Sequence, residues 1–335
     1  MAQGDARSLR ARLTGAGLSD SALNAAWPRW WSDEADSSVS ARVDLRFSLA
    51  RNLGLDPRSL LLDDQAPRFV WKDEARFKRL TDAGASEREV ITSFGRALGG
   101  LVLAATPPAV AGLFRPLPAA QLRAALLGGG APYVTLVDLL SLCWSLGIPV
   151  IHLRVFPWRQ KRMAAMTVRV GDRFAILFGK DSQYPAPIAF YLAHELGHIF
   201  LEHLAQEPVL VDVDEEGIIT TGGDPEEAAA DEYGLEVLTG EPRPQILPGD
   251  RHVSGPALAA AALNAAQELR IEPGTLALCF GYTTSRWGTA NGAMRYIYAR
   301  PASVWAEVNG LAQSQLRFDN LGEDAADYLR AVLGN

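Results

Sequence analysis

Cysteine is scarce in this chain. The 335 residues contain two, Cys143 and Cys279, and neither stands in a Cys-x-x-Cys pair. That excludes a disulfide framework, a zinc ribbon and a dithiol redox centre, and it fits a reducing, cytoplasmic compartment. Gly-x-Gly-x-x-Gly, Walker and Gly-x-Ser-x-Gly motifs are lacking too, which removes nucleotide-binding and serine-hydrolase functions as leading readings. Long apolar runs are also missing. The best stretch, residues 97–114, carries no charge but is interrupted by Gly99, Gly100, Pro107 and Pro108, so it reads as two buried helical pieces and not a membrane span. The first residues hold Asp5, Arg7, Arg10 and Arg12 and no apolar core, which argues against a secretion signal.

What is present is a globular composition: 48% apolar, 21% charged, mean hydropathy +0.01. The net charge of -7 is unevenly spread. Residues 202–250 carry fourteen acidic side chains against one basic, while the rest of the chain is mildly basic. That stretch should attract cations or basic partners and repel nucleic acid.

Apolar spacing, capping residues and Pro/Gly punctuation predict an α+β protein, mostly helical, with a small antiparallel or mixed sheet. Helices are expected over 5–13, 19–27, 37–53, 87–105, 119–127, 135–146, 187–204, 226–238, 255–269, 273–280, 304–311 and 323–333. Strands are expected over 149–155, 165–170 and 174–179, the last two joined by a Gly171-Asp172 hairpin turn. Three regions follow: a helical N-terminal part (1–66), a central domain (67–240) and a C-terminal accessory part (245–335). The Glu241-Pro242-Arg243-Pro244 segment marks the last boundary.

Residues 194–198 read His-Glu-Leu-Gly-His inside a helix whose apolar positions are Ile188, Leu192, Leu196 and Ile199. Three of the five histidines fall between 194 and 203. Histidines four apart share a helix face and can bind one metal ion, and Glu195 beside the first can reach a water activated there. This is the signature of a zinc-protease helix, with Glu195 as general base. A catalytic zinc needs a third protein ligand. His203 lies nine residues after His194, about 180° round a continuing helix, and reads as a structural or surface residue. Glu227 and Asp231, four apart in Glu-Ala-Ala-Ala-Asp, serve better: Glu227 as metal ligand and Asp231 as acceptor for the second ring nitrogen of a ligating histidine. Glu226 points about 100° away and is less suited.

The run Phe190-Tyr191-Leu192-Ala193-His194-Glu195-Leu196-Gly197-His198-Ile199-Phe200-Leu201-Glu202-His203 resembles the metallopeptidase core of ImmA/IrrE proteins. Leu146-Gly147-Ile148-Pro149-Val150 resembles the start of that family's first core strand, and 227–238 its second metal helix, with Ala229 and Gly234 where an acid and an alanine are usual. The resemblance covers about 135–238. It implies a zincin-like core and a gluzincin-like zinc endopeptidase. The substrate it implies is a helix-turn-helix transcriptional repressor, whose cleavage releases stress, mobile-element or anti-phage defence genes. Such a repressor is basic and would be drawn to the acidic 202–250 stretch. By the same resemblance the substrate adds as a strand at a sheet edge, for which 174–178 is the candidate.

An oxyanion stabiliser is also needed, and Tyr191, Tyr233 and His252 are open for that role. Cys143 and Cys279 read most simply as buried small hydrophobes; the sharper alternative is a thiolate that blocks the metal's open position and keeps the enzyme latent. Arg154 to Arg162 mixes four cations with Phe156 and Trp158, a composition that suits either a sheet-edge loop or a nucleic acid acting as an activating ligand. The N-terminal helices ending in Gly54-Leu55-Asp56 could descend from a helix-turn-helix fold, but no basic patch accompanies them. The rival function is a non-proteolytic metal-binding anti-repressor or sensor.

Overall fold

The computed structural model describes residues 5–71, 75–78, 85–108, 115–157, 163–205, 208–213, 224–247 and 253–335. The N-terminal helices α1 (Ala6–Gly15), α2 (Asp20–Ala26) and α3 (Val39–Leu53) each begin behind a polar cap. Asp5, Ser19 and Ser38 accept the backbone N–H three residues on, which satisfies one of the four donors a helix start leaves open. Gly54, at φ 72°, ends α3 in the left-handed conformation, and α4 (Pro57–Leu61) follows.

Then come β1 (Ala75–Lys78), α5 (Ala85–Ala105), α6 (Ala119–Leu127), α7 (Leu136–Ser145), β2 (Val150–His152), β3 (Met163–Val170), β4 (Arg173–Phe178), α8 (Pro185–Phe200), β5 (Val209–Val213) and α9 (Pro225–Thr239). The tail is helical: α10 (Gly255–Leu269), α11 (Pro273–Thr284), α12 (Trp287–Ile297), α13 (Val304–Gln315) and α14 (Glu323–Leu333). The class is α+β, as expected.

The five strands form one mixed sheet in the order β1-β5-β3-β4-β2. The β3–β4 hairpin turns at Gly171, φ 61°, and β3 is also antiparallel to β5, while β1 and β2 lie parallel to β5 and β4. Strands β1 and β5 were not foreseen. The first is four residues with polar and apolar types mixed, and the second is an apolar run inside the most acidic stretch.

The alternation of β3 divides the molecule. Met166 and Val168 face α5, where Gly95 and Gly99 let the helix backbone approach: a Cβ at either would meet Met166 Sδ or Val168 Cγ1 within 3 Å. That layer also holds the N-terminal helices and α14. Ala165 on the opposite face joins Ile176, Phe178 and Leu210 in the core beneath α7, α8 and α9. Both faces are therefore covered.

Strand β4 lies between β3 and β2, and β2 already occupies its outer side at Ile176, Leu177 and Phe178, which corrects the expectation that 174–178 receives a substrate strand. The β2 margin is closed as well. Asn309 of α13 accepts the His152 N–H at 2.7 Å and donates to the His152 carbonyl at 2.8 Å, and the Arg154 N–H reaches the Val332 carbonyl in the last turn of α14. The chain after 245 is thus divided. Helices α13 and α14 join the two main cores, while α10, α11 and α12 build smaller clusters that include Ala186 of α8. Among the described residues no helix is long and apolar enough to cross a membrane.

Candidate metal centre

Helix α8 starts at Pro185, and nearly every residue from 186 to 200 is buried. A helix apolar on all sides needs cover on all sides. The sheet supplies one cover and α9 the other. Asp224 caps α9 by accepting the Glu226 N–H, Pro225 sets its first turn, and Gly240 at φ 90° ends it. Arg123 of α6 then donates to the Val237 and Leu238 carbonyls at 2.9 and 2.8 Å, holding the last turn.

Where α8 and α9 cross, His194, His198 and Glu227 converge, their ligand atoms all within 4.8 Å of one another. The two Nε2 atoms are 2.9 Å apart, and Glu227 carboxylate oxygens lie 3.3 Å from His198 Nε2 and 3.6 Å from His194 Nε2. Ligands at about 2.0–2.1 Å from a tetrahedral ion stand roughly 3.3 Å from each other, so the carboxylate separations fit and the nitrogens are slightly compressed. All three residues are buried. This group can hold a metal ion.

Each imidazole is supported from behind. His194 Nδ1 meets Asp231 Oδ1 at 2.8 Å, the role the sequence suggests for Asp231. His198 Nδ1 meets His203 Nδ1, also at 2.8 Å. Both Nε2 atoms are thereby directed to the shared point. Burial pushes His198 down to about 3, ahead of the opposing pull of Glu227, so the ring is neutral and able to ligate.

Searches against protein-family models, curated proteins and solved structures match nothing. Function must be read from this site.

The His203 contact revises the sequence reading. Helix α8 stops at Phe200, not Leu204, because Glu202 takes φ 61° and the His203 N–H turns back to the His198 carbonyl at 3.0 Å. The 180° rotation of a continuing helix therefore never occurs. Glu195 is fully buried, and its Oε2 accepts the Thr167 hydroxyl of β3 at 2.5 Å. Thr167 went unnoticed, although it is the one hydroxyl in the run Met-Ala-Ala-Met-Thr-Val and sits on the α8 side of the alternation. Glu226 is half-buried outside the metal group, and Glu227 is the carboxylate brought in.

The remaining candidates are placed as follows. Tyr191 stands one turn before His194, its hydroxyl 3.0 Å from Lys180 Nζ. Tyr233 donates its hydroxyl to the Leu117 carbonyl at 2.7 Å, and burial pushes it well above its ordinary value. His252 lies outside the described residues, as do 158–162. Phe156 is buried in the sheet core, and the Arg154 guanidinium lies 4.3 Å from the Trp305 ring. Neither is displayed for stacking bases. In α3, Arg46 is 1% exposed and ion-paired with Asp63. Burial pushes the Cys279 thiol up to about 12 and Cys143 higher still, and neither belongs to the metal group, so both are small core residues.

Proposed function

We propose that the chain is a zinc-dependent endopeptidase with a zincin-like core, acting on a basic helix-turn-helix repressor. The observation that carries this is the meeting of His194 Nε2, His198 Nε2 and the Glu227 carboxylate at one buried point, with Glu195 next to the first ligand. Two nitrogens and one carboxylate are the donor set of a hydrolytic zinc site. When bound, zinc supplies Lewis-acid polarisation of a water and of the scissile carbonyl. Glu195 takes the proton of the attacking water and passes it to the leaving amine. The Thr167 hydroxyl donates to the Glu195 carboxylate and fixes its orientation, while Asp231 meets the second ring nitrogen of His194. The fourteen acidic side chains of 202–250 supply the field that draws a basic protein.

One observation favours a second reading. The ligands and Glu195 are almost entirely buried, a state suited to a module that holds metal and signals by binding alone. Glu195→Gln separates the two readings. Incubated with a helix-turn-helix repressor and followed by mass spectrometry, wild type is expected to cleave, and the variant to bind without cleaving. Derepression that survives Glu195→Gln in cells rules out the peptidase.

A further inference from the structure

We infer that His203 is a positioning residue for the metal centre, the counterpart on His198 of Asp231 on His194. The inference rests on the metal-site reading above and assigns His203 a role in it. His198 can offer Nε2 to a cation only if its own proton sits on Nδ1. That Nδ1 lies 2.8 Å from His203 Nδ1. An N–H facing an imidazole nitrogen at this distance requires a lone pair on the acceptor, so the metal-ready form of the pair places the His203 proton on Nε2. One His203 tautomer thus selects the metal-ready tautomer of His198.

The backbone is built to make this contact. Leu201 closes α8 with its N–H on the Gly197 carbonyl, Glu202 takes the left-handed conformation at φ 61°, and the His203 N–H bonds the His198 carbonyl. A non-glycine residue in that conformation is uncommon, and here it folds His203 back over the last helical turn. The rings of His198 and His203 meet edge to face, centroids 5.0 Å apart. Glu202 meanwhile lines a cavity of about 350 Å³ with Arg169, Phe174, Ile199 and Leu204. The two supports differ chemically. Asp231 brings a carboxylate oxygen to His194, whereas His203 brings an imidazole nitrogen to His198.

The test is zinc affinity of the full-length protein, measured by competition with a chromophoric chelator, for wild type, His203→Leu and His203→Asn. Asparagine places an acceptor oxygen near the position of Nδ1; leucine places none. His203→Leu is expected to weaken zinc 10–100-fold, the usual loss on removing such a support, and His203→Asn to recover most of it. In the zinc-loaded wild type, ¹⁵N-resolved imidazole spectra are expected to show a protonated Nδ1 on His198 and a protonated Nε2 on His203. Equal affinity in all three proteins, or a protonated Nδ1 on His203, overturns the inference while leaving the metal site intact. Failure of wild type to bind zinc overturns both. Circular dichroism of the metal-free variants separates loss of fold from loss of support: if His203→Leu is unfolded, the comparison of His203→Asn with wild type and the ring spectra decide.

Discussion

Gly234 of α9 lies directly against the backbone of His194 in α8. A Cβ at 234 would stand 3.0 Å from the His194 nitrogen and 3.2 Å from the Ala193 carbonyl carbon. Gly197 repays the contact from the other side, where a Cβ would come 3.1 Å from the Ala230 Cα. Two small residues, one per helix, let α8 and α9 approach closely enough for Glu227 to reach the histidines. An alanine at 234 would fit only if the α8 backbone gave by a few tenths of an ångström.

Gly234→Ala is therefore expected to destabilise the protein although alanine favours helix. Helix propensity contributes about 1 kcal/mol in favour, while overpacking against rigid backbone costs roughly 1–3 kcal/mol. Gly234→Val should cost more, and both should weaken metal binding because the Glu227 to histidine distances grow. Urea denaturation and zinc titration check this. Unchanged stability and affinity in Gly234→Val would show that the helices have room to spare.

Asn309→Ala is expected to lower stability by about 2–4 kcal/mol, because it strips the buried His152 N–H and carbonyl of their partners and bares the β2 edge. Asn309→Asp keeps the acceptor for the His152 N–H but sets a buried carboxylate oxygen against the His152 and Leu333 carbonyls, so it should cost at least as much. Chemical denaturation with light scattering reports both the stability loss and edge-to-edge aggregation. Wild-type behaviour of Asn309→Ala would deny the edge-closing role.

The metal-free protein is expected to lose stability in acid. Burial lowers His198 to about 3 and also lowers His152, each against an ordinary value near 6.5. The unfolded chain then binds more protons than the folded one below about 6.5, so stability held above that pH declines as pH falls toward 3. Urea midpoints measured from pH 7.5 to 4 should drop, and less steeply in His198→Asn. A midpoint independent of pH in wild type, or the same slope in the variant, contradicts this origin.

Much of the site was legible because its residues obey helix spacing: His194 with His198, and Glu227 with Asp231, each four apart on one face. Periodicity also gave α10 and α14 their limits and placed the Gly171-Asp172 turn. What escaped depended on long-range placement. Thr167 reaches Glu195 only through the register of β3 beneath α8, and His203 reaches His198 only because Glu202 turns left-handed. No local pattern marks either. Strand β5 was hidden by its acidic surroundings, and α12, with glycines at 288 and 292, lacks the propensity that would announce it.

The most direct test of the metal centre is the metal content of purified protein by elemental analysis, for wild type, Glu227→Ala and Glu226→Ala. About one zinc per chain is expected in wild type and in Glu226→Ala, with loss in Glu227→Ala, since a three-residue donor set cannot spare its carboxylate. Absence of metal from wild type after zinc resupply, or equal content in all three proteins, would contradict a His194, His198 and Glu227 site.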